Sequence, residues 1–129
     1  MADDYVLVID DDDDILTLIT DALLSLGVEA RCARDGHKGL DLIRQQQPTL
    51  VILDLVMPQI TGWDFIKKVR SDPSMQGVPI MVLTGFSVDE RLKKSLDAPD
   101  VHVLQKPDSF VELRQGIEDV IRGSKLIGG

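Results

Sequence analysis

Leu50-Val51-Ile52-Leu53 is an unbroken run of branched apolar residues that ends abruptly in Asp54 and continues as Leu55-Val56-Met57-Pro58, closed by Gly62. A strand with no polar alternation must be covered on both faces, which is the situation of a central strand in a parallel sheet. Such a strand offers a charge no solvated side, so Asp54 must stand where the sheet meets solvent. In open parallel sheets that rim, at the carboxyl ends of the strands, is where ligands bind. An isolated Asp after a strand can also merely start a turn. The other residues expected at the same rim decide against that reading.

Val6-Leu7-Val8-Ile9 is a second continuous apolar run and delivers five acids, Asp10 to Asp14, to its end. From Ile15 the apolar positions Leu18, Ile19, Ala22, Leu23 and Leu26 keep helical spacing, and Gly27 is placed to end the helix. Asp12, Asp13 and Asp14 then serve the helix N-terminus, where carboxylates complement the unpaired N–H groups and the dipole. Asp10 and Asp11 lie before it and are left without that explanation. Val28 to Ala33 alternates like a strand near a sheet edge, with Cys32 at an apolar position expected to face the core. Asp35 can cap a helix bearing Leu40 and Ile43, which Gln45-Gln46-Gln47-Pro48 stops. Thr61-Gly62 opens a helix carrying Phe65, Ile66 and Val69, and Asp72-Pro73 to Gly77 form a turn-rich loop.

Ile80-Met81-Val82-Leu83 is the third apolar run, ending in Thr84-Gly85. Asp89 to Leu96 reads as a short charged helix broken by Ala98-Pro99, and Val101 to Gln105 as a last strand ending in Lys106-Pro107. Phe110, Leu113, Ile117, Val120 and Ile121 mark a final helix. Strand and helix alternate five times, which implies right-handed crossovers and a doubly wound α/β domain: a five-stranded parallel sheet of order 2-1-3-4-5 with five helices, flavodoxin-like. The expected organisation is one domain over residues 1–122 and a flexible tail over 123–129.

The formal charge of −8 over 129 residues disfavours direct contact with nucleic acid or an anionic membrane, and leaves divalent cations and basic protein surfaces as partners. One cysteine excludes an internal disulfide. No run is long enough to span a membrane and the N-terminus lacks a signal peptide's pattern, so a cytoplasmic location is the expectation.

With the strand order 2-1-3-4-5, Asp10, Asp11, Asp54, Thr84 and Lys106 converge on one rim. Three carboxylates that close repel by about 4 kcal/mol per pair at 4 Å and an effective dielectric near 20, so a cation belongs among them. Oxygen ligands without His or thiolate suit Mg²⁺ or Mn²⁺. Metal pocket, lysine, hydroxyl and a further carboxylate together describe transfer of a phosphoryl group onto a carboxylate, with Asp54 as the in-line nucleophile.

These motifs, Val-Ile-Asp10-Asp11, Leu-Asp54-Leu-Val-Met-Pro58 with Gly62, Leu-Thr84-Gly85 and Lys106-Pro107, in this order and spacing, resemble the response-regulator receiver domain of two-component signalling from Val6 to about Ile121. The resemblance implies Asp54 as phosphoacceptor and Mg²⁺ held by Asp11, Asp54 and the backbone carbonyl of Val56, with Asp10 acting through water. It further implies Thr84 on a phosphoryl oxygen, Lys106 paired with the phosphoryl group, and a cis Lys106-Pro107 bond. The implied donor is the phosphohistidine of a sensor histidine kinase or histidine phosphotransfer protein, and the implied output a switch in contacts with a downstream protein or a second copy. Such a domain is a signalling receiver that catalyses its own phosphorylation, not an enzyme for separate substrates. It either stands alone or belongs to a longer regulator or hybrid kinase.

The chain also departs from that pattern. Many receivers carry Tyr or Phe three residues before the lysine, where this chain has Val103, and Asp97-Ala98-Pro99-Asp100 stands where relatives often have Gly-Ala. Val56 and Phe86 occupy positions that flank the path of hydrolytic water in relatives, and apolar groups there do not orient water. Slow self-dephosphorylation is the expectation.

Two other functions are weighed. A haloacid-dehalogenase-like phosphohydrolase is suggested by Asp10-x-Asp12 after an apolar strand, but Asp14 stands where that motif wants Thr or Val and the chain is short for a substrate cap. A degenerate receiver acting only by binding is opposed by the complete acidic set with Thr84 and Lys106. A calcium loop at Asp10, Asp12 and Asp14 fails because Ile15 stands where the tight turn needs Gly. His37 is expected on a helix surface, His102 on a strand, Trp63 in packing or a partner contact, and Lys67, Lys68, Arg91, Lys93 and Lys94 on solvated helix faces.

Overall fold

The computed structural model describes residues 4–96 and 100–123. The expected break at Ala98-Pro99, most of the Asp97 to Asp100 loop, and tail residues 124–129 lie outside the described residues. The elements run β1 (Val6–Ile9), α1 (Asp13–Ser25), β2 (Ala30–Ala33), α2 (Gly36–Gln45), β3 (Leu50–Asp54), α3 (Gly62–Ser71), β4 (Ile80–Thr84), α4 (Glu90–Ser95), β5 (Val101–Gln105) and α5 (Phe110–Arg122). All strand pairings are parallel and the order is β2-β1-β3-β4-β5, as expected.

The continuous apolar runs are explained by two cores, one on each face. Leu7 and Ile9 of β1, Val51 and Leu53 of β3, and Ile80 and Val82 of β4 pack with Phe65, Ile66 and Val69 of α3 and with Leu40 and Ile43 of α2. The alternate residues Val6, Val8, Ile52, Met81 and Leu83 pack with Ile15, Ile19 and Leu23 of α1 and with Leu113, Ile117 and Ile121 of α5. Successive strand residues point to opposite faces, so a strand with helices on both sides needs apolar residues at every position. Each such Val, Leu or Ile side chain contributes about 1.5–3 kcal/mol when fully removed from water.

All five helices begin on a polar side chain that accepts a backbone N–H: Asp12, Asp35, Thr61, Asp89 and Ser109. A cap of this kind contributes about 0.5–2 kcal/mol. Asp12 takes the N–H groups of Asp14 and Ile15, and Asp13 and Asp14 fill the first turn, so these three acids are helix-starting residues.

Three sequence expectations are corrected. Cys32 is exposed rather than in the core: β2 is an edge strand, flanked by β1 on one side, and the Cys32 Sγ lies 3.2 Å from the Thr20 hydroxyl of α1. No cis peptide bond occurs among the described residues, so Lys106-Pro107 is trans, the lower-energy form of an X–Pro bond. The second strand begins at Ala30, two residues later than its pattern suggested, because Val28 folds back under α1, its N–H donating to the Leu23 carbonyl. His37 and His102 are exposed, on helix and strand respectively. No described helix is long and apolar enough to cross a membrane.

Candidate functional site

The parallel order places the ends of β1, β3, β4 and β5 side by side, and each ends in or is followed directly by a polar residue. Asp10 follows β1, is 2% exposed, and accepts the Asp12 N–H at 3.0 Å. Asp11, next in the chain, is exposed. Asp54 ends β3, one strand over, and accepts the Val56 N–H at 3.4 Å. The carboxylate oxygens of Asp10, Asp11 and Asp54 approach one another within 4.8 Å, a spacing at which all three can ligate one metal ion.

Lys106 reaches this cluster from the end of β5, 96 residues away in the chain from Asp10. Its Nζ lies 3.3 Å from Asp10 Oδ2 and 3.5 Å from Asp54 Oδ2, so one ammonium bridges two carboxylates. Its backbone N–H donates to the Thr84 carbonyl at 2.6 Å, fixing the β5 exit against the end of β4. Thr84 itself is 1% exposed, and its hydroxyl accepts the Phe86 N–H at 3.0 Å.

Burial is the largest influence on both inner acids. It pushes the Asp10 and Asp54 carboxyls above the ordinary carboxylate range, and Lys106 opposes the rise at each. The neighbouring carboxylate adds to the rise, Asp54 acting on Asp10 and Asp11 on Asp54. Three acids against one ammonium leave the rim short of positive charge. Hard oxygen donors with a charge deficit of this size fit a divalent cation of the Mg²⁺ or Mn²⁺ kind.

The loop after β3 is held in place by backbone packing. Gly62 N–H donates to the Leu55 carbonyl at 2.8 Å, and a Cβ at Gly62 would lie 2.7 Å from Leu55 Cα and 2.9 Å from the Asp54 carbonyl oxygen. The glycine is therefore what lets α3 start directly against the strand end that carries Asp54.

The structure thus brings Asp10, Asp11, Asp54, Thr84 and Lys106 to one rim, and places Val56 two residues along the same loop, 59% exposed. Sequence reasoning missed a neighbouring set. Trp63 of α3 packs near Phe86, ring centroids 6.3 Å apart, and donates its indole N–H to Ser95 of α4 at 2.9 Å. No spacing rule links positions 63, 86 and 95; the sequence singled out Trp63 for packing or a partner contact and Phe86 for its place after Thr84, without joining them.

The family model of the response regulator receiver domain matches residues 6–118. The response regulator MprA of Mycolicibacterium vanbaalenii is 35% identical over 118 residues, which are 91% of this chain and 50% of that protein. The sensor histidine kinase TmoS of Ectopseudomonas mendocina is 37% identical over 117 residues, 90% of this chain and 12% of that protein. The chain therefore spans about half the length of relatives such as MprA, and far less of the kinase. Among solved structures, the chemotaxis response regulator CheY4 of Vibrio cholerae is similar with a TM-score of 0.76 at 28% identity, over 91% of this chain and 98% of that one. With the rim geometry, the strand order and a family match over most of its length, the chain belongs to the response regulator receiver domains of two-component signal transduction.

Proposed function

We propose that this domain accepts a phosphoryl group on Asp54 from the phosphohistidine of a sensor histidine kinase or histidine phosphotransfer protein, and that the modified state changes its contacts with a downstream protein. The observation that carries this reading is the Lys106 ammonium held between Asp10 and Asp54 at the carboxyl-end rim. Residues 1–122 form the receiver unit in this reading.

Asp10, Asp11, Asp54 and the backbone carbonyl of Val56 are the groups that would hold Mg²⁺, or Mn²⁺ in its place. A bound divalent ion supplies Lewis-acid neutralisation of the phosphoryl oxygens. Asp54 supplies the attacking carboxylate oxygen. An oxygen–phosphorus bond forms there while the phosphorus–nitrogen bond to the donor imidazole breaks, its electron pair staying on the imidazole nitrogen. Lys106 opposes the effect of burial on Asp54 and so favours its ionised, nucleophilic form. It then pairs with a phosphoryl oxygen, and the Thr84 hydroxyl donates to another.

The test is to treat the protein with acetyl phosphate and Mg²⁺ and map the acyl phosphate by mass spectrometry after reductive trapping. Modification at Asp54, lost on chelation, is expected; modification at Asp10 would point to a phosphohydrolase and overturn the reading.

A second expectation concerns lifetime. Val56 and Phe86 are 59% and 48% exposed beside the rim and present only hydrocarbon to arriving water. Without a polar side chain to orient that water, the acyl phosphate is expected to persist well beyond seconds. A half-life of seconds with Mg²⁺ present rules out this role for the two side chains.

A further inference from the structure

Val103 is a branched aliphatic residue packed against the core beside α4, and it has no ring whose reorientation could report on Thr84. A different path leaves Thr84. Its hydroxyl holds the Phe86 N–H at 3.0 Å. A hydroxyl has one hydrogen to donate and two lone pairs, so Thr84 can donate to a phosphoryl oxygen and keep hold of Phe86. If the hydroxyl moves, the Phe86 backbone moves with it. The Phe86 ring lies against Trp63, and the Trp63 indole N–H donates to Ser95 Oγ, which in turn donates to the Leu92 carbonyl at 2.7 Å. Each contact joins a different element: the end of β4, the loop after it, the first turn of α3, and the last turn of α4.

The receiving element is suited to respond. The helix α4 has six residues, and Leu92 is its buried one, so few contacts hold it in place. The Ser95 hydroxyl accepts from Trp63 and donates to the Leu92 carbonyl within the helix, so the indole contact ties the last turn of α4 to α3.

We propose that Phe86, Trp63 and Ser95 form the path by which phosphorylation at Asp54 reaches α4 in this chain, in place of an aromatic on β5. The inference rests on the phosphoacceptor reading given above. These are positioning residues that act through Thr84.

The test is amide hydrogen exchange of the peptide covering 90–96, with and without acetyl phosphate and Mg²⁺, with the phosphorylated fraction read by intact mass in the same samples. In the unaltered protein the exchange rate there is expected to change severalfold on phosphorylation. Trp63→Phe keeps an aromatic ring beside Phe86 but deletes the N–H donor, and Ser95→Ala deletes the acceptor on an exposed helix end. Both are expected to lose most of the α4 response at an equal phosphorylated fraction. A response retained in both variants, or an unresponsive α4 in the fully phosphorylated unaltered protein, overturns the path. Absence of phosphate on Asp54 would overturn the parent reading instead, and the mass measurement separates the two failures.

Discussion

Replacing Lys106 by alanine is expected to slow phosphate uptake at Asp54 by about 10²–10³-fold, the effect of removing one preorganised donor from a site where negative charge gathers. The ammonium stands 3.5 Å from Asp54 and 3.3 Å from Asp10, and its side chain is 22% exposed, so bulk water is a poor replacement for it. Timing acyl phosphate formation from acetyl phosphate at saturating Mg²⁺ checks this, and a rate within tenfold of the unaltered protein would contradict it. The same substitution has a consequence for stability without divalent ions. Asp10 and Asp54 have folded-state pKa values raised by burial, so between the ordinary carboxylate pKa and the raised values the native state binds more protons than the unfolded chain. Their contribution to stability is therefore present below the ordinary carboxylate pKa and is lost as pH rises through the raised values. Lys106→Ala removes an influence that lowers both pKa values, so the loss should extend to higher pH. Urea unfolding across a pH series without divalent ions reads that displacement.

Gly62→Ala is expected to destabilise the fold by about 1–3 kcal/mol and to weaken divalent-ion binding at the same time. The added methyl group would sit 2.7 Å from Leu55 Cα and 2.9 Å from the Asp54 carbonyl oxygen. Both are backbone atoms, one in the last residue of β3 and one in the buried residue after it, so relief requires moving either the strand end or α3. Either movement shifts the loop that carries Val56 and breaks the alignment of Gly62 N–H with the Leu55 carbonyl. For a domain of this size the melting midpoint should fall by roughly 3–6 °C per kcal/mol. Thermal melts with and without Mg²⁺ measure both effects; an unchanged midpoint with unchanged Mg²⁺ stabilisation would show that the close approach is dispensable.

The sequence by itself determined the alternation of strands and helices, the two-faced burial of the sheet, and the residues at its rim. Leu50 to Leu53 can be apolar at every position only if both faces are covered, and that condition forces Asp54 to the strand's end. The helix starts were equally legible, because capping is a local interaction between a side chain and N–H groups two or three residues on, as at Asp12, Asp35 and Thr61. The tertiary structure alone decided what depends on how far one layer extends over another. Alternation put Cys32 on an inward face, but on the edge strand it is left exposed beside Thr20 of α1. The apolar face of α2 was read from Leu40 and Ile43, which are buried in the core, but the close approaches of Gly36 to Ile60 and Gly39 to Ile9, where absence of a side chain is what fits, were not. The bond from Trp63 to Ser95 likewise joins residues 32 apart in the chain through the meeting of α3 and α4. Periodicity records which residues share a face; the distances between faces are set only when the whole core packs.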